Sequence, residues 1–172
     1  GGAPYVRERR AAGALAEAPG HDLTYLADNG LVTGLELPAT LYADMGGSLM
    51  VSEAVLQAML HRHTNGKGVY QEIALSGAAN YLALPRSWGL TTPGAAVGGG
   101  HAGYQIYRCQ NGRVAVAALE PHFAARLCVA AGLDSADMRQ STTRQAISAW
   151  MLRKTRAQLD KLAMANDIPL HT

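Results

Sequence analysis

The run "ATLYADMGGSLMVSEAVLQAMLHRH", residues 39 to 63, constrains the fold more than any other stretch. Apolar residues fall on nearly every face of a helix here, with Met45, Leu49 and Leu56 on one and Val51 and Val55 on another. A helix that is apolar almost all round is a buried one, so the pattern predicts a long helix inside the packed layers. Asn65 and Gly66, in "TNGKG", stop it as helix C-termini do. Gly46 and Gly47 sit in its first half, where each costs about 1 kcal/mol relative to alanine. Glycines kept at that cost predict that something approaches the backbone closely.

The flanking segments alternate between helix and strand signals. Asp22 is placed to cap a short helix, "LTYLADNG", ended by Asn29 and Gly30. "VYQEIAL" reads as a strand and "SGAANYLALPRSW" as a helix. A glycine-rich loop, "GLTTPGAAVGGGHAG", leads into "YQIYRC" and "RVAVAAL", a hairpin turning at Asn111-Gly112. "EPHFAARLCVAAGL" is a helix with Pro121 near its first turn. Two further helices follow at 142–152 and 155–165, the second opened by a Thr155/Gln158 capping box. Residues 1–19 lack periodicity and read as loop. The class is mixed α/β.

The chain has 172 residues, 48% of them apolar and 16% charged, which is a globular composition. A net charge of +2, from scattered basic residues, gives no argument for nucleic acid. Cys109 and Cys128 make neither a disulfide framework nor a metal-ligand spacing, and a reducing cytoplasm is the default. No apolar run is long enough to span a membrane, and no signal-peptide pattern opens the chain. The chain starts at "GGAPYV" without methionine and stops as an extended segment begins at "DIPLHT", so a fragment is expected.

Three residues have a functional reading beside a structural one. His21, in "PGHDL", is either a loop histidine beside a capping aspartate or a general base at a helix start, where the helix dipole opposes imidazolium. Asp44, in "YADMGGS", is either a hydrogen-bonded structural carboxylate or a reacting one, with two glycines opening space for a ligand. Glu120 is either a first-turn glutamate or a side chain projecting from a strand–helix junction into a site. His61 and His63 are two apart on a helix and cannot form an i,i+4 metal pair. His101 and His122 are either residues lining a site or surface histidines, zinc finds no ligand set, Ser48 and Ser76 have no nucleophile motif, and "GGGHAG" is not a dinucleotide fingerprint.

Taken in order, "PGHDLTYLADNGLV", "LYADMGGSLMVSEAVLQAMLHRHTNGKGVYQEIALSGAANYL" and "GGGHAGYQIYRCQNGRVAVAALEPHF" resemble the class III CoA-transferase (CaiB/BaiF-like) family, and within it the α-methylacyl-CoA racemase branch. The resemblance runs from about residue 14 to the C-terminus. It implies a partial class III fold: residues 14–92 from the large domain and linker, 93–172 a small domain of hairpin and helices, and 1–13 unassigned. The family's N-terminal Rossmann-like portion has no counterpart here.

The resemblance implies His21 and Asp44 as the two bases flanking the α-carbon of a 2-methylacyl-CoA, with Glu120 orienting the histidine. It implies Asp22, Tyr25, Gly46, Gly47 and Tyr104 as substrate-binding residues. Coenzyme A would enter as part of the acyl-CoA thioester substrate, with no metal and no other cofactor. The full-length protein would form an interlocked homodimer, with no nucleic-acid or membrane partner. In the transferase branch Asp44 would instead be the nucleophile that carries the acyl group, with no general need for a histidine after Gly20. The presence of His21 and Glu120 therefore favours the racemase. A truncated relic or partner-binding module is the non-enzymatic alternative.

Overall fold

The computed structural model describes residues 5–9, 19–134 and 136–172. They fall into two units, dividing between Ser87 and Trp88.

The first unit is organised on helix α2, Tyr42–Asn65, which Gly66 closes in the left-handed conformation at φ 68° with its N–H bonded to the Arg62 carbonyl. The predicted burial of this helix does not hold. What α2 buries is small: Ala43, Gly47, Ala54 and Ala58. Met45, Leu49 and Leu56 are 60%, 71% and 66% exposed. The physical reason is that a stripe of small residues lets neighbours approach on one face only. Among the described residues nothing covers the stripe of large ones.

Helix α3, Leu75–Leu82, lies against that small-residue face. A Cβ on Gly47 would stand 2.3 Å from Leu75 Cδ2, and one on Gly46 would stand 3.5 Å from Ala78 Cβ and Leu82 Cδ1. The close approach that the glycines predict is therefore that of α3. Strand β2, Tyr70–Ala74, connects the two helices. It pairs in parallel with β1, Tyr5–Arg9, from Tyr5 opposite Tyr70 to Arg9 opposite Ala74. β1 overturns the loop reading for those residues: its hydrogen bonds come from a distant parallel partner, which leaves no local turn or hairpin signal. The remainder of that loop reading, residues 1–4 and 10–18, lies outside the described residues. Helix α1, Asp22–Asp28, packs on α2 and α3. The helix predicted over "SGAANYLALPRSW" breaks after Ala83, and a short α4, Leu84–Ser87, begins there with Pro85 in its first turn.

The second unit is a three-stranded antiparallel sheet backed by helices. β3, Tyr104–Cys109, and β4, Gly112–Ala117, form the predicted hairpin, and β5, Leu170–His171, pairs with the other side of β4. Alternate residues Tyr107, Cys109, Val114 and Val116 face a core shared with α5, Pro121–Ala131, α6, Ser141–Met151, and α7, Arg156–Asn166. Leu127, Ile147, Met151 and Leu159 are fully buried there. The Tyr107 hydroxyl donates to the Ala102 carbonyl at 2.7 Å, and burial pushes the phenol up to about 12. The expected Thr155/Gln158 capping box starts α7. Among the described residues no helix is long and apolar enough to cross a membrane.

Candidate functional site

Asp22 is a charged residue only 5% exposed. Its Oδ1 accepts a hydrogen bond from the backbone N–H of Ala43 at 2.6 Å and from that of Asp44 at 3.1 Å. The first N–H groups of a helix have no intrahelical partner, and the positive end of the helix dipole favours a carboxylate beside them. Asp22 therefore caps α2 rather than its own helix, which corrects the sequence expectation. The reason is positional: the N-cap of α1 is His21, at φ −142° and ψ 171°, so Asp22 is already helical and its side chain is free to reach another element. Thr24 serves α1 instead, with Oγ1 accepting from the His21 N–H at 3.0 Å and donating to the His21 carbonyl at 2.9 Å.

This clamp ties the start of α1 to the start of α2. His21, exposed, precedes the clamping residue in the chain; Asp44, half-buried, supplies one of the clamped amides. Gly20 has its own constraint, because a Cβ there would lie 2.6–2.7 Å from the ring of Tyr25. The Tyr25 ring is buried, and its Oη is a buried polar atom without a hydrogen-bond partner among the described residues. Within Gly20-His21-Asp22, then, the first residue makes room for an aromatic ring, the second presents an imidazole and the third fastens a second helix.

The structure thus assembles His21, Asp22, Tyr25 and Asp44 in the first unit. Gly46 and Gly47 follow Asp44 on α2, occupied on their open side by α3. Glu120 and Tyr104 belong to the second unit. Glu120 is the N-cap of α5 rather than a first-turn residue; it is exposed, its carbonyl accepts from the Ala124 N–H, and its side chain makes no cap hydrogen bond. Tyr104 opens β3 and lines a cavity of about 620 Å³.

Sequence reasoning missed the groups that hold the glycine-rich loop. The Gly99 carbonyl, at a residue with φ +95°, accepts from Gln105 Nε2 at 2.6 Å and Arg144 Nη1 at 3.1 Å. No local motif marks either donor. His101 Nδ1 accepts from the Gly103 N–H at 3.1 Å, and burial, reinforced by Arg139, lowers its pKa, so the imidazole acts as a neutral staple of the loop. Burial raises the Cys128 thiol, which disfavours a reactive thiolate. Among the described residues no three His, Cys, Asp or Glu side chains gather as a metal site.

Comparison with known proteins bears on what this arrangement does. The family described as CoA-transferase family III matches residues 10–172. Alpha-methylacyl-CoA racemase from Mus musculus is 28% identical over 142 residues, an alignment covering 73% of this chain and 37% of that protein. A crystal structure of a hypothetical protein from Mycobacterium tuberculosis matches with a TM-score of 0.80 at 22% identity, over 98% of this chain and 52% of that one. A CAIB/BAIF family protein from Brucella suis matches with a TM-score of 0.73 at 18% identity, again over 98% of this chain and 52% of the other. The chain spans about half the length of these solved structures and less of the mouse enzyme.

Proposed function

The chain belongs to CoA-transferase family III, and on that premise we propose that it carries the proton-transfer residues of an acyl-CoA racemase or epimerase acting on a 2-methylacyl-CoA thioester. The observation that carries this reading is the Asp22 clamp, which holds the backbone of Asp44 to the residue next to His21. One of these side chains takes the α-proton, leaving the enolate of the thioester, and the other returns a proton to the opposite face. An imidazole and a carboxylate in unlike environments suit that division of acid and base roles. The mouse relative, named as an alpha-methylacyl-CoA racemase, supports the choice of substrate class.

Coenzyme A enters as part of the substrate, and the chemistry described asks for no metal. The setting proposed is the cytoplasm, which suits two buried, free cysteines. The working form proposed is a homodimer. The exposed stripe of Met45, Leu49 and Leu56 supports it, being an apolar surface that association would cover.

The test is incubation of a 2-methylacyl-CoA in deuterated water. Racemisation with deuterium incorporation at the α-carbon is the expected result for the parent protein, and loss of racemisation is expected in His21→Ala and in Asp44→Ala. Transfer of CoA to a free carboxylic acid without α-deuteration would replace this reading with the transferase one, in which Asp44 is the nucleophile. Glu120→Gln tests separately the role that the resemblance implies for that residue, with a lowered rate expected.

A further inference from the structure

The second unit carries a feature that this chemistry does not use. On the face of β4 turned away from the helices stand Arg113, Ala115 and Ala117. Their partners across the ladder on β3 are Arg108, Ile106 and Tyr104, and His171 of β5 lies opposite Ala115 on the other side. At Ala115 and Ala117 the middle strand thus offers only methyl groups where its neighbours carry larger side chains, and residues directly opposite in a ladder share one face. This makes a trough with an alanine floor and walls that include Val97, Tyr104, Ile106 and His171, enclosing about 620 Å³.

Toward the hairpin turn, a second hollow of about 560 Å³ shares Ile106, Ala115 and His171 with the first and is bordered by Arg113 and Arg156. The Arg156 guanidinium is engaged with the Thr172 carbonyl at 2.8 Å. Arg108 and Arg113 differ: they stand directly opposite one another, both exposed, and no ion pair or side-chain hydrogen bond involves either among the described residues. Like charges placed opposite in a ladder are destabilising, so an anion between them would relieve a cost as well as gain attraction. Guanidinium groups are also the side chains best matched to a carboxylate.

We propose that this face binds a medium-chain fatty acid anion, with its aliphatic chain over Ala115 and Ala117 and its carboxylate at Arg108 and Arg113. Ala117 and Arg113 are four residues apart, about 13 Å along a strand, so a chain of medium length covers the floor with its head at the arginines. The site lies wholly within the second unit and does not depend on α-proton transfer.

The test is calorimetric titration of the whole chain with decanoate, using acetate as head without chain and 1-decanol as chain without charge. Saturable binding of decanoate is expected, with both controls at least tenfold weaker. Ala115→Phe, which fills the floor, and the double substitution Arg108→Gln/Arg113→Gln are each expected to weaken decanoate at least tenfold. All three positions are exposed, and unchanged circular dichroism verifies the fold. Absence of saturable decanoate binding, or affinities within twofold of the parent in both variants, overturns the proposal. Neither outcome bears on the racemase reading, whose test measures chemistry at the α-carbon.

Discussion

Replacing Asp22 by alanine removes a side chain that fastens α1 to the start of α2. Ala43 is 0% exposed, so its N–H loses its acceptor without gaining water, a penalty of about 1–3 kcal/mol. The half-buried Asp44 amide loses a bond to a charged acceptor but has access to solvent, so it adds about 1 kcal/mol as an ordinary cap does. The expected loss is about 2–4 kcal/mol, confined to the first turn of α2. Asp22→Asn keeps an oxygen acceptor and gives up only the charge facing the helix dipole, about 1 kcal/mol. Amide hydrogen exchange reads this directly. Protection at Ala43 and Asp44 should fall roughly 30- to 700-fold in Asp22→Ala, at about 1.4 kcal/mol per decade, and about fivefold in Asp22→Asn. Unchanged protection of both amides in Asp22→Ala would refute the claim that this carboxylate holds the two helix starts together.

The adjacent glycines of α2 should respond with opposite signs. Gly46→Ala meets only ordinary contacts at 3.5 Å and should stabilise by up to about 1 kcal/mol through helix propensity. Gly47→Ala must displace Leu75 from 2.3 Å and should destabilise by about 1 kcal/mol net; urea midpoints measure both. Tyr107 has a folded-state pKa of about 12, above the free phenol at 10, so its protonated form is favoured in the native state. Its contribution to stability is complete below pH 10 and lost as pH rises toward 12, and Tyr107→Phe should abolish that part of the alkaline loss, read from unfolding curves against pH. Leu49→Asp with Leu56→Asp should lower the sedimenting mass without changing helix content, because both residues are on the uncovered stripe of α2. An unchanged mass would remove the support for association through that face.

The elements with local punctuation were legible: α2 from its Asn-Gly stop, the hairpin from Asn111-Gly112, and α7 from its capping box. What was illegible depended on distant partners. β1 exists through parallel pairing with a strand far along the chain. The apolar surround of α2 shows that large residues want cover but not where it comes from, and the first unit supplies it only over the small-residue stripe. The sequence marks Asp22 as a capping residue of α1, whereas its carboxylate caps α2; a side chain's reach to a residue 21 positions on cannot be read from spacing. His21 and Asp44 could be named from their surrounding motifs, whereas Gln105 and Arg144, the donors to Gly99, lie in no motif.

The central claim is that His21 and Asp44 serve opposite faces of one carbon, and α-proton wash-out from each enantiomer of a 2-methylacyl-CoA in deuterated water tests it most directly. The account predicts exchange from both enantiomers in the parent protein. In His21→Ala and in Asp44→Ala, racemisation should be lost while exchange survives for one enantiomer only, and for the opposite enantiomer in each variant. Equal loss or equal retention of exchange from both enantiomers in the two variants would contradict the two-base arrangement.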